Sequence, residues 1–257
     1  MTALRRLLIV VLFAFLFAPM GVIFVFSFFE TSNLAFPPAG WTLKWYGWAI
    51  TRTEFLTSLR ESVALAALAT IGASLLGIPA AMALARGQFR GRAVAEAMIM
   101  SPLLIPALLL GIGLLIYLSA IGVRIGFGAL LIGHIVLIVP FVVRNVMVSL
   151  AGIPRDLEEA AAGLGATRWR TFHRVLLPLI APGAAAGAIL AFLISFDELA
   201  MTIFIASPNL VTMPVRIFNY VEWHLGPGLA ALCSLLIGFT GLLIYVTERL
   251  RGIQRLL

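Results

Sequence analysis

Residues 159–178 read EAAAGLGATRWRTFHRVLLP, a polar, arginine-bearing stretch inside a chain otherwise built of long apolar runs. Local signals specify two helices and a turn. Pro154 suits a first helical position, where its fixed φ and missing N–H cost nothing, and Asp156, Glu158 and Glu159 complement the positive end of a helix dipole. These residues predict a short helix over about 155–163. Gly165 supplies the left-handed residue that ends a helix and turns the chain. Thr167, preceded by Ala166, can cap a second helix that carries Arg168, Trp169, Arg170, Phe172 and Arg174 towards the membrane.

The surroundings of this segment set the fold class. Of 257 residues, 62% are hydrophobic and only 11% charged, with a mean hydropathy of +1.09. That is too little polar surface to coat a water-soluble globule. Apolar runs of about 20 residues, enough to cross a bilayer core, fall at about 7–29, 62–85, 94–118, 127–149, 179–206 and 228–247. The expectation is an all-α membrane protein, a single domain over 1–257 with six spans, and the polar segment at about 154–175 between spans four and five. Arg5 and Arg6 precede the first run as in a signal peptide, but the run exceeds the usual apolar region of one and reads as an uncleaved span.

Basic residues orient the bundle. With six spans, thirteen of the eighteen Lys and Arg residues, including those of the polar segment, fall on one side. By the positive-inside tendency, both termini and the polar segment of this multi-pass protein are expected in the cytoplasm. The pI of about 10.7 then reflects topology, because the arginines sit at span ends and lack the interleaved aromatics of a nucleic-acid-binding face. The link from Arg86 to Arg92 reads as a topology anchor.

Several other features admit a structural reading beside a functional one. Trp41, Trp45, Tyr46 and Trp48, in the first outer loop over 30–61, suit an interfacial helix at the membrane boundary or a lip touched by an external partner. Gly183 and Gly187, with Ala184, Ala188 and Ala191, suit close helix packing, within the bundle or between subunits. Prolines at 102, 106, 140 and 182 are expected to kink or break helices. Asp197 and Glu198 are costly in or near a span and suit a cavity or solute pathway, or the outer boundary; Glu222 is a weaker candidate for the same work. His134 and Ser195 could in principle pair as base and nucleophile, although no nucleophile motif surrounds the serine, and a buried histidine bonded to a backbone carbonyl accounts for His134 better. Cys233 has no partner cysteine, and His173 and His224 show no metal-ligand spacing. The single lysine, Lys44, lies between Leu43 and Trp45, so no phosphate-binding Gly-Lys-Ser/Thr loop exists.

The order of residues in the polar segment resembles the signature of inner-membrane permease subunits of binding-protein-dependent ABC importers: E-A-A, three residues, G, nine residues, I-x-L-P. Glu159, Ala160, Ala161, Gly165, Leu177 and Pro178 match at full spacing, and Val175 replaces the isoleucine. The stretch Ser195-Phe196-Asp197-Glu198-Leu199, followed by Phe204, Met213-Pro214-Val215-Arg216 and Tyr220, is similar to the spermidine and putrescine branch. One departure is Ala107, after Pro106, where that branch carries an acidic residue.

The resemblance implies a type I importer permease fold and a non-enzymatic role. Glu158, Glu159, Ala160, Ala161, Gly165, Ala166 and Thr167 would form the helix that couples to an ATPase; Asp197, Glu198 and Glu222 would line the solute pathway. It further implies a second permease subunit, a cytoplasmic ATPase dimer that holds ATP and magnesium, and an extracytoplasmic solute-binding protein. This chain would need no cofactor or metal, would contact membrane lipid and no nucleic acid, and would pass a polyamine or a related amine or amino-acid derivative. The alternative is a secondary transporter or channel working without an ATPase.

Overall fold

A computed structural model of the chain describes residues 3–32, 36–207, 210–222 and 225–254. His224, Arg255 and positions 33–35 of the first outer loop lie outside them. The described residues are helical, and their β-type pairings are two isolated bridges, Phe29 with Trp41 and Ser207 with Leu210. Helix is the expected form for such apolar sequence, because it satisfies every backbone N–H and C=O within the segment, as hydrocarbon demands.

In chain order the helices are α1 (Ala3–Phe26), α2 (Lys44–Thr51), α3 (Thr53–Arg86), α4 (Arg92–Met100), α5 (Ala107–Ala120), α6 (Phe127–Ala151), α7 (Asp156–Gly163), α8 (Arg168–Thr171), α9 (Leu177–Asp197), α10 (Thr202–Ile205), α11 (Met213–Val221) and α12 (Pro227–Gln254). A 3-10 turn, Ser101–Leu103, extends α4, and a π-helical turn, Phe172–Leu176, joins α8 to α9. Among the described residues, five helical stretches are long and apolar enough to cross a membrane: Leu4–Phe26, Thr53–Arg86, Phe127–Ala151, Arg168–Asp197 and Pro227–Val246.

The third expected span is different. Instead of one helix over 94–118, α4 with its 3-10 turn and α5 meet at 105°, and the count reaches six when this bent pair is taken as one span. Pro102 and Pro106 explain the break, since neither donates to a helical ladder and each disfavours helical geometry in the residue before it. Pro106 itself is extended, with ψ 131°, and α5 starts after it. Pro140 and Pro182, by contrast, sit inside α6 and α9 without ending either.

Two other spans shift. α3 begins at Thr53 rather than near 62 and has 34 residues, about 51 Å at 1.5 Å per residue, which exceeds a hydrocarbon core of about 30 Å. The fifth span begins at Arg168 and stops at Asp197 rather than near 206. Pro178, with no N–H to offer, falls at the start of α9, and the wider π turn accommodates it, with Leu177 N–H bonding the Phe172 carbonyl.

The chain forms two compact units, Met1–Ser58 with Arg216–Leu242 and Leu59–Val215 with Leu243–Leu257. In the second, α6 and α9 make the core. Leu130, Ile138, Val142, Val146 and Leu150 of α6 are fully buried. The small residues of α9 bring its backbone against α6: a Cβ on Gly183 would run into the Ser149 side chain, and one on Gly187 would lie 2.9 Å from Asn145 Cβ. The glycines therefore serve packing within the chain. Gly72 and Gly77 bring α3 onto α6 in the same way, against Ile135 and Val142.

In the first unit, α2 is held by its aromatic side chains. Trp45 Nε1 donates to the Phe29 carbonyl at 2.8 Å, Tyr46 pairs with Ser27 Oγ at 2.6 Å, and Trp48 meets the rings of Phe55 and Tyr220. Gly228 admits both Trp45 and Trp48, whose rings lie 3.1 Å from where its Cβ would stand.

Gly187→Leu should lower the stability of the detergent-solubilised protein by about 1–3 kcal/mol, the usual cost of overpacking, read as an earlier thermal transition. Gly113→Ala, where an added Cβ meets nothing within 4 Å, should leave that transition in place or raise it slightly.

Candidate functional site

The polar segment folds as its residues dictate, with two adjustments. α7 takes Arg155 as its N-cap, so Pro154 stands just outside the helix rather than in its first turn. The Arg155 carbonyl accepts from the N–H groups of Glu158 and Glu159 at 2.9 and 3.1 Å. At the other end Gly165 takes φ +78°, a conformation open to glycine without strain. The N–H groups of Leu164, Gly165 and Ala166 there close back on the carbonyls of Ala160, Ala162 and Ala161. Thr167 caps α8, its Oγ1 accepting from Arg170 N–H at 3.3 Å. The second adjustment is that α8 is no separate surface helix. It continues through the π turn into α9, so one 30-residue helical stretch, Arg168–Asp197, runs from the polar segment to the far end of the span.

Side chains of α7 divide into two sets. Glu159 and Ala160 are exposed, as is Thr167, while Ala161 and Ala166 are half-buried; Leu157 and Leu164 add exposed apolar surface, Leu164 at 90%. Glu158 instead turns back into the chain. Its Oε1 lies 2.7 Å from Nε of Arg86, the last residue of α3, and Nη2 of Arg86 donates to the Ile153 carbonyl at 2.9 Å. Arg155 returns the contact, with Nη2 at 3.5 and 3.4 Å from the carbonyl oxygens of Ala85 and Arg86. Sequence reasoning gave Arg86 only an anchoring role, since no local signal marks a partner 67 residues away.

At the other end of α9 lies an acidic corner. Glu198 leaves the helix with φ −71° and ψ 115°, and its carboxylate accepts the Met201 N–H at 2.7 Å. Glu198 thus fixes the turn into α10, whereas Asp197 is exposed and forms no ion pair among the described residues. Met201 is fully buried, its Cα 2.9 Å from where a Cβ on Gly111 of α5 would stand.

His134 of α6 secures the corner from beneath. It is fully buried, with Nδ1 2.7 Å from Ser195 Oγ and Nε2 3.0 Å from Thr202 Oγ1. A neutral imidazole offers one donor and one acceptor nitrogen, and a hydroxyl can play either part, so the three groups satisfy one another. The backbone carbonyl expected as the histidine's partner is replaced by hydroxyls on either side of the α9–α10 break. Ser195 and His134 stand as close as a nucleophile and its base, but a hydroxyl occupies the position where an orienting carboxylate is needed, and the group is buried. It works as a tie. Glu222 is exposed just beyond α11, in the other compact unit.

Long apolar helices with a polar helix-turn-helix between two spans, one of which ends in an exposed carboxylate, define a membrane transport subunit. Residues 73–250 match the family described as binding-protein-dependent transport system inner membrane component, and the chain belongs to that family. It is 33% identical to the putrescine transport system permease protein PotI of Escherichia coli (strain K12), over 97% of this chain and 95% of that one. The spermidine/putrescine transport system permease protein PotC of the same strain is 30% identical, over 92% and 89%. In fold the chain is similar to a subunit of a bacterial ABC transporter involved in the import of the acidic polysaccharide alginate, with TM-score 0.79, 17% identity and coverage of 96% and 94%. The protein is therefore a membrane-spanning permease subunit of an ABC importer, and its relatives are permeases rather than enzymes.

His134→Leu strands two buried hydroxyls, each at a cost of about 1–3 kcal/mol, and should bring thermal unfolding forward by several degrees. Ser195→Ala should retain transport in reconstituted vesicles; abolition of transport without loss of the folded protein would contradict a purely structural tie.

Proposed function

We propose that this chain forms part of the translocation route for a small cationic amine of the putrescine type, driven by a separate ATPase pair. The observation that carries this reading is the continuous helical stretch Arg168–Asp197, which begins at the polar segment and ends at an exposed carboxylate. α7 is the coupling helix. Glu159, Ala160, Ala161, Gly165, Ala166 and Thr167, with Leu157 and Leu164, present the surface that docks in the ATPase, and Glu158 acts from the inner side through Arg86.

In this reading the ATPase pair holds ATP with its magnesium, and this chain needs no cofactor. Closure of that pair displaces α7, and the turn at Gly165 passes the displacement to α8 and so to the whole length of α9. The acidic corner then moves with respect to the rest of the route. Asp197 meets the amine, because a free carboxylate at a span end favours a cation; Glu198 holds the corner in shape, and Glu222 attracts the solute from the outer loop. A second permease subunit encloses the other half of the route, an extracytoplasmic binding protein delivers the solute, and both termini lie on the ATPase side of a bacterial inner membrane. The chain acts as one permease domain. The names of PotI and PotC support the amine, and the charge of Asp197 supports it independently.

Gly165→Asp, which puts a side chain on a φ of +78°, should abolish co-purification of the ATPase with the tagged permease. Asp197→Asn should reduce putrescine uptake by at least about tenfold, since removal of one close opposite charge costs about 1.5–3 kcal/mol for a charged hydrogen bond, and should leave ATPase binding intact. Unchanged uptake of a cationic solute by Asp197→Asn would sink the pathway assignment.

A further inference from the structure

We infer that Arg86 is a positioning residue for energy coupling: with Glu158 and Arg155 it struts the coupling helix to α3, a span that α7 does not touch through the chain's own connections. The inference rests on the reading of α7 as the coupling helix. Through the short links 152–155 and 164–167, α7 is continuous with α6 and with the α8–α9 helix, and those two already pack as one body. α3 is not joined to α7 by any such link, and its last residue, Arg86, reaches α7 directly.

The geometry of that connection is reciprocal. Arg86 reaches from the end of α3 to Glu158 at 2.7 Å and to the Ile153 carbonyl at 2.9 Å, while Arg155 reaches from the start of α7 to the last carbonyls of α3. Each helix end thus receives the charge its dipole favours, cations at the α3 C-terminus and a carboxylate in the first turn of α7. Apolar packing does not tie α7 in this way: α7 has no buried residue, whereas Ala81 and Leu84 near the end of α3 lie in the core with α6. A cavity of about 690 Å³ opens beside the pair, bounded by Met82, Ala162, Arg168, Thr171 and Phe172 as well as by Arg86 and Glu158. The ion pair therefore acts as a strut at the edge of open space.

The ion pair, with side chains 19% and 27% exposed, sets the distance between the end of α3 and the first turn of α7, and the arginine-to-carbonyl contacts hold the same gap. Displacement of α7 then bears directly on the end of α3, two residues beyond Leu84, where α3 leaves the apolar core it shares with α6.

The test uses the whole importer, reconstituted with its ATPase, partner permease and binding protein, and reads solute moved per ATP hydrolysed. Arg86→Gln should still co-purify with the ATPase and hydrolyse ATP, yet lower that ratio by about fivefold or more, the range of a modest coupling free energy. Arg86→Lys, which keeps the charge, should recover part of it, and Glu158→Gln should lose as much as Arg86→Gln. An unchanged ratio in Arg86→Gln overturns the inference, as does an equal loss in Arg86→Lys. Loss of the ATPase from Arg86→Gln also overturns it, by making Arg86 a docking residue. If the unaltered chain captures no ATPase, the permease-coupling reading fails first, and that outcome is visible before any variant is made.

Discussion

The close approach of α6 and α9 is the contact on which the rest depends. In lipid, water does not drive helices together, so association relies on van der Waals fit and on small residues that let backbones meet. Gly183 and Gly187 supply that fit against Ser149 and Asn145. Because the two helices are also the ones that flank the polar segment, their packing fixes both ends of the connection 152–167. It also sets His134 of α6 against Ser195 of α9, so the same interface holds the acidic corner at its other end. In the proposed coupling α9 acts as a lever, and a lever is useful only when its bearing is rigid; this interface would be the bearing.

Charge is divided along that lever by what each carboxylate can satisfy internally. Adjacent acids at a span end are costly unless paired or solvated. Glu198 meets the cost by accepting the Met201 N–H, and Glu158 meets it with Arg86; both become structural. Asp197 and Glu159 keep exposed carboxylates, one at each end of the polar-to-acidic path. The sequence pairs 158–159 and 197–198 look alike on paper, yet in both one member turns inward and the other outward: in the first because neighbouring side chains on a helix point about 100° apart, in the second because Glu198 leaves the helix with extended backbone while Asp197 ends it.

Legibility from sequence followed the range of the forces involved. The turn at Gly165 and the cap at Thr167 were readable because both are local, set by a residue's own φ or by a side chain three positions from its partner. The apolar runs gave most span positions for the same reason. What escaped was set by tertiary contact. Thr202 carries no signal that it completes the His134 hydrogen bonds, and Arg86 looks like any basic residue at a span end. The fifth span ends earlier than its hydropathy predicts, because apolar sequence continues past Asp197 into Leu199, Met201 and Ile203, while the helix stops where Glu198 finds the Met201 N–H. Of the four prolines at which the sequence predicts a kink or break, only Pro102 and Pro106 act together, close enough that no full turn of α-helix fits between them.

That break in the third span bears directly on the acidic corner. α5 runs at 105° to α4 and its 3-10 turn, and Gly111 of α5 is the residue that admits the Met201 backbone. Met201 in turn gives Glu198 its N–H, and the next residue, Thr202, gives His134 its second hydroxyl. A side chain at Gly111 would push the short helix away from α5, loosen both hydrogen bonds, and leave the Glu198 carboxylate unsatisfied beside Asp197. The bent span and the division of roles between the two acids are therefore one feature: the prolines aim α5, α5 seats Met201, and the seated turn leaves a single free carboxylate at the end of α9.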